Sequence, residues 1–147
     1  MGDNIRLVDN DGSYVKFSAE AEGLAQLYTT AAAVTSKDGV ITSCAIDAVQ
    51  ADVKFDTTGT ITSDLEADIL TKNQLGADYG MVAYAGAIAE WDAQAAAFGA
   101  YVTGKTADQV AGIAIDEATK PADGSDLASS VTISIGGFQA LIAKALG

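Results

Sequence analysis

Residues 24–50 read LAQLYTTAAAVTSKDGVITSCAIDAVQ, and this stretch decides the fold class. Leu24 to Thr35 is rich in Thr, Val and Tyr, the residues that fit a pleated surface. Ser36-Lys37-Asp38-Gly39 then supplies a turn whose glycine is free to take a positive φ. Val40 to Gln50 returns as the partner strand, so the pair predicts an antiparallel hairpin. Because strand side chains alternate, Val40, Thr42, Cys44, Ile46 and Ala48 are expected to share one face.

Before the hairpin, Tyr14 to Glu20 alternates as a short strand, and residues 1–13 form a polar N-terminal segment. Asp9-Asn10-Asp11-Gly12-Ser13 is similar to part of a calcium loop, but the spacing fails. With Gly12 at the sixth position, Leu7 and Ser18 would have to be the first and last ligands. A turn is the better reading. After the hairpin, Asp52 to Phe55 extends the sheet and Thr57-Thr58-Gly59-Thr60 is another turn.

From residue 65 the periodicity becomes helical. Leu65 to Leu75 predicts one short helix or two, ended by Gly76. Ala87 to Thr103 predicts a longer one, since Ile88, Trp91, Ala95, Phe98 and Val102 follow spacings of three and four, with Gly104 as the cap. At that spacing Trp91 and Phe98 read as core rather than as stacking residues for a ligand. Thr106 is placed to N-cap a one- or two-turn helix, and a polar loop follows from Asp116 to Asp126. Phe138, Leu141, Ile142 and Ala145 are the expected buried stripe of a last helix, residues 134–146. Strands first and helices later predict an α+β fold: a single domain over residues 14–147, its antiparallel sheet covered by helices 87–103 and 134–146.

Composition excludes several functions. With 147 residues, 49% hydrophobic and 19% charged, the chain is long and apolar enough to bury a core without staples. Twenty acidic against eight basic residues give a net charge of −12, which phosphate backbones and anionic membrane faces repel, so no nucleic-acid partner is expected. There is no histidine, which removes histidine-based triads, general bases and metal sites. Cys44 is the only cysteine, so no internal disulfide or thiolate cluster forms, and its apolar run predicts a buried thiol. No stretch approaches the roughly 20 apolar residues of a membrane helix. The carboxylate pairs Asp47 with Asp52 and Glu90 with Asp92 are the nearest approach to a hydrolytic site, but at such spacings carboxylates are usually solvated. No catalytic and no metal-ligating residue is assigned.

One junction carries chemistry. Asp126-Leu127-Ala128-Ser129-Ser130-Val131-Thr132-Ile133-Ser134 crowds small hydroxyl residues at the expected start of the last helix. Unpaired N–H groups and the helix dipole there favour an anion such as a phosphate. Serine and threonine are also ordinary N-caps, so local physics leaves both readings open.

The spacing resembles the D-x-x-[S/T]-G-A-[T/S] motif of FMN-binding domains, found in subunits of sodium-pumping and electron-bifurcating oxidoreductases and in exported flavoproteins. In that family a transferase joins FMN, through its phosphate, to the hydroxyl of the last residue. The resemblance places Asp126 at the leading aspartate, Ser129 at the fourth position, Ser130 in the linking pair and Thr132 at the acceptor. Lys37-Asp38-Gly39-Val40-Ile41 is similar to the family's hairpin turn. Three segments resemble exported FMN-binding-domain-like lipoproteins of anaerobic Gram-positive bacteria: residues 43–50, residues 75–81 and residues 126–135. With Trp91 and Gly104-Lys105-Thr106, the similarity extends over most of residues 23–146.

What the resemblance implies is an extracytoplasmic electron-transfer domain carrying FMN on Thr132. It further implies an export signal or lipid anchor in the natural protein, with a flavin transferase and membrane or surface redox proteins as partners. Ser130-Val131 stand where the family has Gly-Ala, and its Glu-Thr pair after the hairpin is replaced near Gln50 and Asp52. A flavin-free cell-surface binding or structural protein that keeps the fold is therefore the alternative.

Overall fold

The computed structural model describes the backbone of residues 6–8 and 14–16 and the whole of residues 22–147. The turn expected at residues 9–13 and the strand end at residues 17–20 lie outside the described residues. The chain divides into two units, Thr29–Val49 with Leu70–Gly147, and Met1–Tyr28 with Gln50–Ile69.

In the second, smaller unit, β1 (Arg6–Val8) pairs antiparallel with β2 (Tyr14–Lys16), placing Leu7 opposite Val15. It also holds the open ends of the two long strands, β3 (Gly23–Lys37) and β4 (Val40–Phe55). There Gln26 donates to Asp52 at 2.8 Å. The turn expected at residues 57–60 is present, with Gly59 at φ 84. Asp56 organises it, accepting at Oδ1 from the Thr58 amide at 2.8 Å, the Thr58 hydroxyl at 2.7 Å and the Thr60 amide at 2.9 Å. The chain then runs back along β4, where the Thr62 amide donates to the Lys54 carbonyl at 2.8 Å.

The larger unit is the α+β body. β3 and β4 form a two-stranded antiparallel hairpin through Asp38 and Gly39, at φ 52 and φ 78. Two positive φ values in sequence give a turn whose twist matches the strands, and aspartate and glycine tolerate them best. Five helices follow: α1 (Lys72–Leu75), α2 (Met81–Ala85), α3 (Trp91–Val102), α4 (Ala107–Ala111) and α5 (Gly136–Leu146). Ile41, Ile46 and Ala48 of β4 share one core with Trp91, Ala95, Phe98 and Val102 of α3 and Phe138 and Ile142 of α5. The hairpin is thus covered by the two helices, as the sequence pattern predicts.

Details of the pattern needed correcting. The buried face of β4 is Ile41, Ile46 and Ala48, with Cys44 half-buried, while Val40 and Thr42 are exposed. The reason is local. The Thr35 hydroxyl bonds both the Thr42 hydroxyl at 2.7 Å and the Ser43 hydroxyl at 2.8 Å. Two residues of β4 therefore oppose one of β3, which is a β-bulge, and the inward parity switches across it. Beyond the bulge the inward positions are even on both strands, with Thr30, Ala32 and Val34 half-buried on β3.

The helix limits also moved. Leu65 to Leu70 is not helical; the first turn begins only after Thr71, which forms a capping box with Gln74. Gly76 does end that turn, at φ 49. Helix α3 starts at Trp91 because Glu90, in extended backbone, is its N-cap, so Ile88 falls outside the stripe and is exposed. The expected cap at Gly104 is sound: at φ 86 it follows Thr103, and its amide donates to the Ile41 carbonyl at 2.8 Å. Thr106 caps α4 with a second capping box. Helix α5 starts at Gly136, and its inward line is every fourth residue: Phe138 and Ile142 are buried and Leu146 partly so. Leu141 is only half-buried and Ala145 is exposed, since both lie beside that line rather than on it.

Gly99 sets how close α3 comes to the hairpin. A Cβ there would lie 2.4 Å from the Cys44 carbonyl oxygen, inside any permitted contact. Gly99→Ala is expected to destabilise the fold by about 1–3 kcal/mol through this overlap, outweighing the roughly 1 kcal/mol that alanine gains in a helix. Urea denaturation measures the sign, and a stabilised variant refutes the contact.

The turn at Asp56 yields a second expectation. The Thr58 hydroxyl first, then the Thr60 amide, holds the Asp56 carboxyl below its ordinary range. A carboxyl whose folded value is depressed favours the folded state above the ordinary carboxylate range, and that support is lost as pH falls through the lowered value. Thr58→Ala should move the Asp56 titration midpoint upward in a carbon-detected NMR titration. An unmoved midpoint contradicts the assigned cause.

Candidate functional site

The junction at residues 126–135 folds as a tight turn and then an extended connection. Asp126 precedes a short 3-10 helix, Leu127–Ser129, whose Leu127 anchors it in the core, as Val131 and Ile135 anchor the residues that follow. Between these anchors Asp126, Ser129 and Ser130 are exposed and Thr132 is half-buried. The Ser129 hydroxyl donates to the Asp126 carbonyl at 2.7 Å, and the Ser130 hydroxyl to the Leu127 carbonyl at 3.3 Å. The Ser134 hydroxyl pairs with that of Thr119.

This corrects the expectation that the hydroxyl cluster opens the last helix. Asp126 leads a separate turn, and α5 begins after Ile135, which offers no side-chain cap. Thr132 is three residues ahead of that cap in the chain. Asp126, Ser129 and Ser130 lie on that separate turn, and Thr132 lies on the connection that follows it.

Thr132 is held by a residue that the motif does not contain. Gln94 is wholly buried on α3. Its Oε1 accepts the Thr132 amide at 2.8 Å and the Thr132 hydroxyl at 3.2 Å, while its Nε2 donates to the Ala89 carbonyl at 2.8 Å. One buried amide thereby satisfies groups from two loops, as a buried polar side chain must. Gln94 is also the one polar residue within the inward stripe of α3, a signal already present in the pattern.

A turn earlier on α3, Trp91 meets Phe138 edge-on, with ring centroids 6.0 Å apart. The ammonium of Lys72 lies 5.3 Å from the Trp91 ring centroid and 4.3 Å from that of Tyr79. Lys72 is only 5% exposed, so the two ring faces meet a cation largely removed from water. Nothing in the hydrophobic pattern marks this lysine. It is set by the Thr71 cap and by Asn73, whose side-chain amide donates to the Ile46 carbonyl at 2.9 Å. Trp91 and Phe98 are both buried, the core role expected of them.

Of the carboxylates nominated for hydrolysis, Asp47, Asp52 and Glu90 have hydrogen-bond partners within the fold, and Asp92 has a buried Oδ1 that has none among the described residues. Asp47 accepts from the Ala48 amide at 2.8 Å and the Asn73 amide at 3.2 Å. Glu90 accepts from the Met81 and Val82 amides at 2.8 and 3.0 Å, capping α2. Asp92 sits in the first turn of α3, where the helix dipole favours a carboxylate. Among the described residues no three His, Cys, Asp or Glu side chains gather as a metal site, and no helix is long and apolar enough to cross a membrane. Burial pushes the Cys44 thiol upward, away from the reactive thiolate.

No family model, no curated protein and no solved structure matches the chain.

The geometry around Thr132 makes an unequal pair of mutations informative. Gln94→Leu strips partners from the Thr132 amide and the Ala89 carbonyl, and should cost about 2–6 kcal/mol, since each buried group left unpaired costs about 1–3. Thr132→Val removes only the hydroxyl bond and should cost less than about 1 kcal/mol. Equal losses in urea denaturation would refute the central place of Gln94.

Proposed function

We propose that this chain carries FMN, esterified through its phosphate to Thr132, and serves electron transfer outside the cytoplasm. The observation that carries the reading is the clamp on Thr132. Its side chain is half-buried rather than buried, and its hydroxyl is hydrogen-bonded to an acceptor that holds a second donor. Esterification would replace the hydroxyl proton, yet Gln94 Oε1 would still accept the Thr132 amide, so no buried group would be orphaned. The residues present therefore fit the group.

The departure at Ser130 is also compatible. Ser130 has φ −124, a backbone angle open to any residue, so glycine's freedom is not needed there. Asp126, Ser129 and Ser130 would border the ester, and Thr132 would hold it. When bound, the flavin supplies the redox chemistry, and the protein's part is to orient it and present it to partners. Those partners are a flavin transferase and membrane or surface redox proteins. The lipoprotein-like segments support the placement outside the cytoplasm.

A second reading has its own observation. The Ser129 and Ser130 hydroxyls both donate to carbonyls of their own turn, the behaviour of serines that serve only the backbone. On that reading the protein is a flavin-free binding or structural protein of the cell surface.

Expression beside a flavin transferase separates the two. The flavin reading expects a yellow chain whose colour survives denaturation, a mass raised by one FMN ester, and loss of both in Thr132→Val. Ser130→Gly with Val131→Ala, which restores the family's pair, should be labelled at least as well. A colourless chain of unmodified mass, in the unaltered and restored forms alike, leaves the flavin-free reading.

A further inference from the structure

We infer that Gln94 is the residue that selects Thr132 among neighbouring hydroxyls for modification, by fixing the direction of its side chain. The inference rests on the flavin reading above.

Four hydroxyl groups lie within residues 129–134: those of Ser129, Ser130, Thr132 and Ser134. Ser129 and Ser130 donate to carbonyls of the Asp126–Ser129 turn, and Ser134 pairs with Thr119. Those partners are carbonyls of the serines' own turn or another hydroxyl, each itself free to rotate or local to the same turn. Thr132 differs. Its hydroxyl bonds a side chain that is 0% exposed and belongs to another element.

Gln94 Oε1 receives the amide and the hydroxyl of the same residue, at 2.8 and 3.2 Å. Both polar atoms of Thr132 converge on one acceptor, and the hydroxyl bond favours the χ1 well that reaches it over the other two. The Gln94 amide cannot reverse, because a flip would set its NH2 against the Thr132 amide and its oxygen against the Ala89 carbonyl, which now accepts from Nε2 at 2.8 Å. The hydroxyl proton therefore points inward at Gln94, and the oxygen lone pairs point away from it. A hydroxyl attacking phosphorus uses a lone pair, so this is the orientation that attack requires.

The step balances without redox change. The Oγ1–P bond forms, while the Oγ1–H bond and one phosphoanhydride P–O bond of an activated flavin nucleotide break. The departing phosphate keeps the electron pair of that bond. The proton leaves last: Gln94 Oε1 is too weakly basic to take it, so once the Oγ1–P bond has formed the O–H turns away from Gln94 and the proton passes to a base of the transferase. Gln94 touches neither flavin nor phosphorus in this step and is a positioning residue.

The test incubates the purified chain with a flavin transferase and a flavin dinucleotide, followed by in-gel flavin fluorescence and peptide mass mapping. Gln94→Met keeps the length of the side chain and removes both acceptor contacts. Labelling at Thr132 should slow by about 10²-fold, the cost of a misplaced reacting group, and the residual label should spread to Ser130 or Ser134. Gln94→Glu introduces a carboxyl that is protonated at this buried position and so donates to the Ala89 carbonyl as Nε2 does. It keeps an acceptor for both Thr132 donors and should label Thr132 at close to the unaltered rate. The near-UV circular dichroism of Trp91 reports whether each variant is folded.

A folded Gln94→Met chain labelled at Thr132 as fast as the unaltered one overturns the inference. If Gln94→Met does not fold, Gln94→Glu decides: retained labelling at Thr132 supports it, and lost labelling in a folded chain overturns it. An unaltered chain that takes no label overturns this inference together with the flavin reading. A labelled unaltered chain with an indifferent Gln94 overturns only the role of Gln94.

Discussion

Helix α3 lies on β4 with no side chain between them at Gly99, and the larger unit depends on that closeness. A helix one methyl group further out would leave a gap that Ala95, Phe98 and Val102 could not fill against Ile41 and Ile46. Each such side chain stabilises the fold by about 1.5–3 kcal/mol only when water is fully excluded. The same approach puts two other residues of α3 in place. Trp91 faces Phe138 and the Lys72 ammonium, and Gln94 reaches the loop that ends in α5. A glycine chosen for packing thus decides where a polar side chain arrives.

Much of this fold was legible because its strongest signals are local. Asp38-Gly39 admits few backbone shapes, and Trp91, Ala95, Phe98 and Val102 repeat at a spacing that only a helix satisfies. The failures came where a neighbour overrides local preference. Leu65 to Leu70 has helical composition, but the Thr71 capping box starts the helix later, and Asp64 ties its side chain to the Glu66 amide instead. Ile88 fits the α3 stripe by arithmetic, yet the Glu90 carboxylate is used on the α2 amides and Glu90 takes extended backbone. The line Phe138, Ile142, Leu146 omits Leu141 from the expected stripe and ends on Leu146 rather than Ala145, differences that only the direction of the core decides.

The site was half legible. The run from Asp126 to Ser134 stands out by composition, and its hydroxyls divide between a turn, which holds Ser129 and Ser130, and the connection after it, which holds Thr132 and Ser134. What composition cannot give is the partner of each hydroxyl. Gln94 and Thr132 are far apart in sequence, and no spacing rule joins them. A glutamine inside an apolar stripe was the available sign, since a buried amide must find donors and acceptors somewhere. Lys72 offered none, because a lysine beside a cap reads as an ordinary surface residue until the rings of Tyr79 and Trp91 close over it.

The bulge at Thr42 and Ser43 has a bearing on how this ribbon can vary over evolutionary time. It behaves as a reading-frame shift in the strand: before it odd positions of β4 face inward, and after it even ones do. Losing either residue would remove the bulge and leave Ile41, Ile46 and Ala48 at even spacings, still on one inward face of a regular strand. Single-residue deletions are therefore accommodated at the bulge, whereas elsewhere in β4 one would turn part of the inward face out to solvent. A relative lacking the bulge should align with this chain only through a one-residue gap between Ile41 and Cys44, with its apolar residues alternating unbroken on both sides.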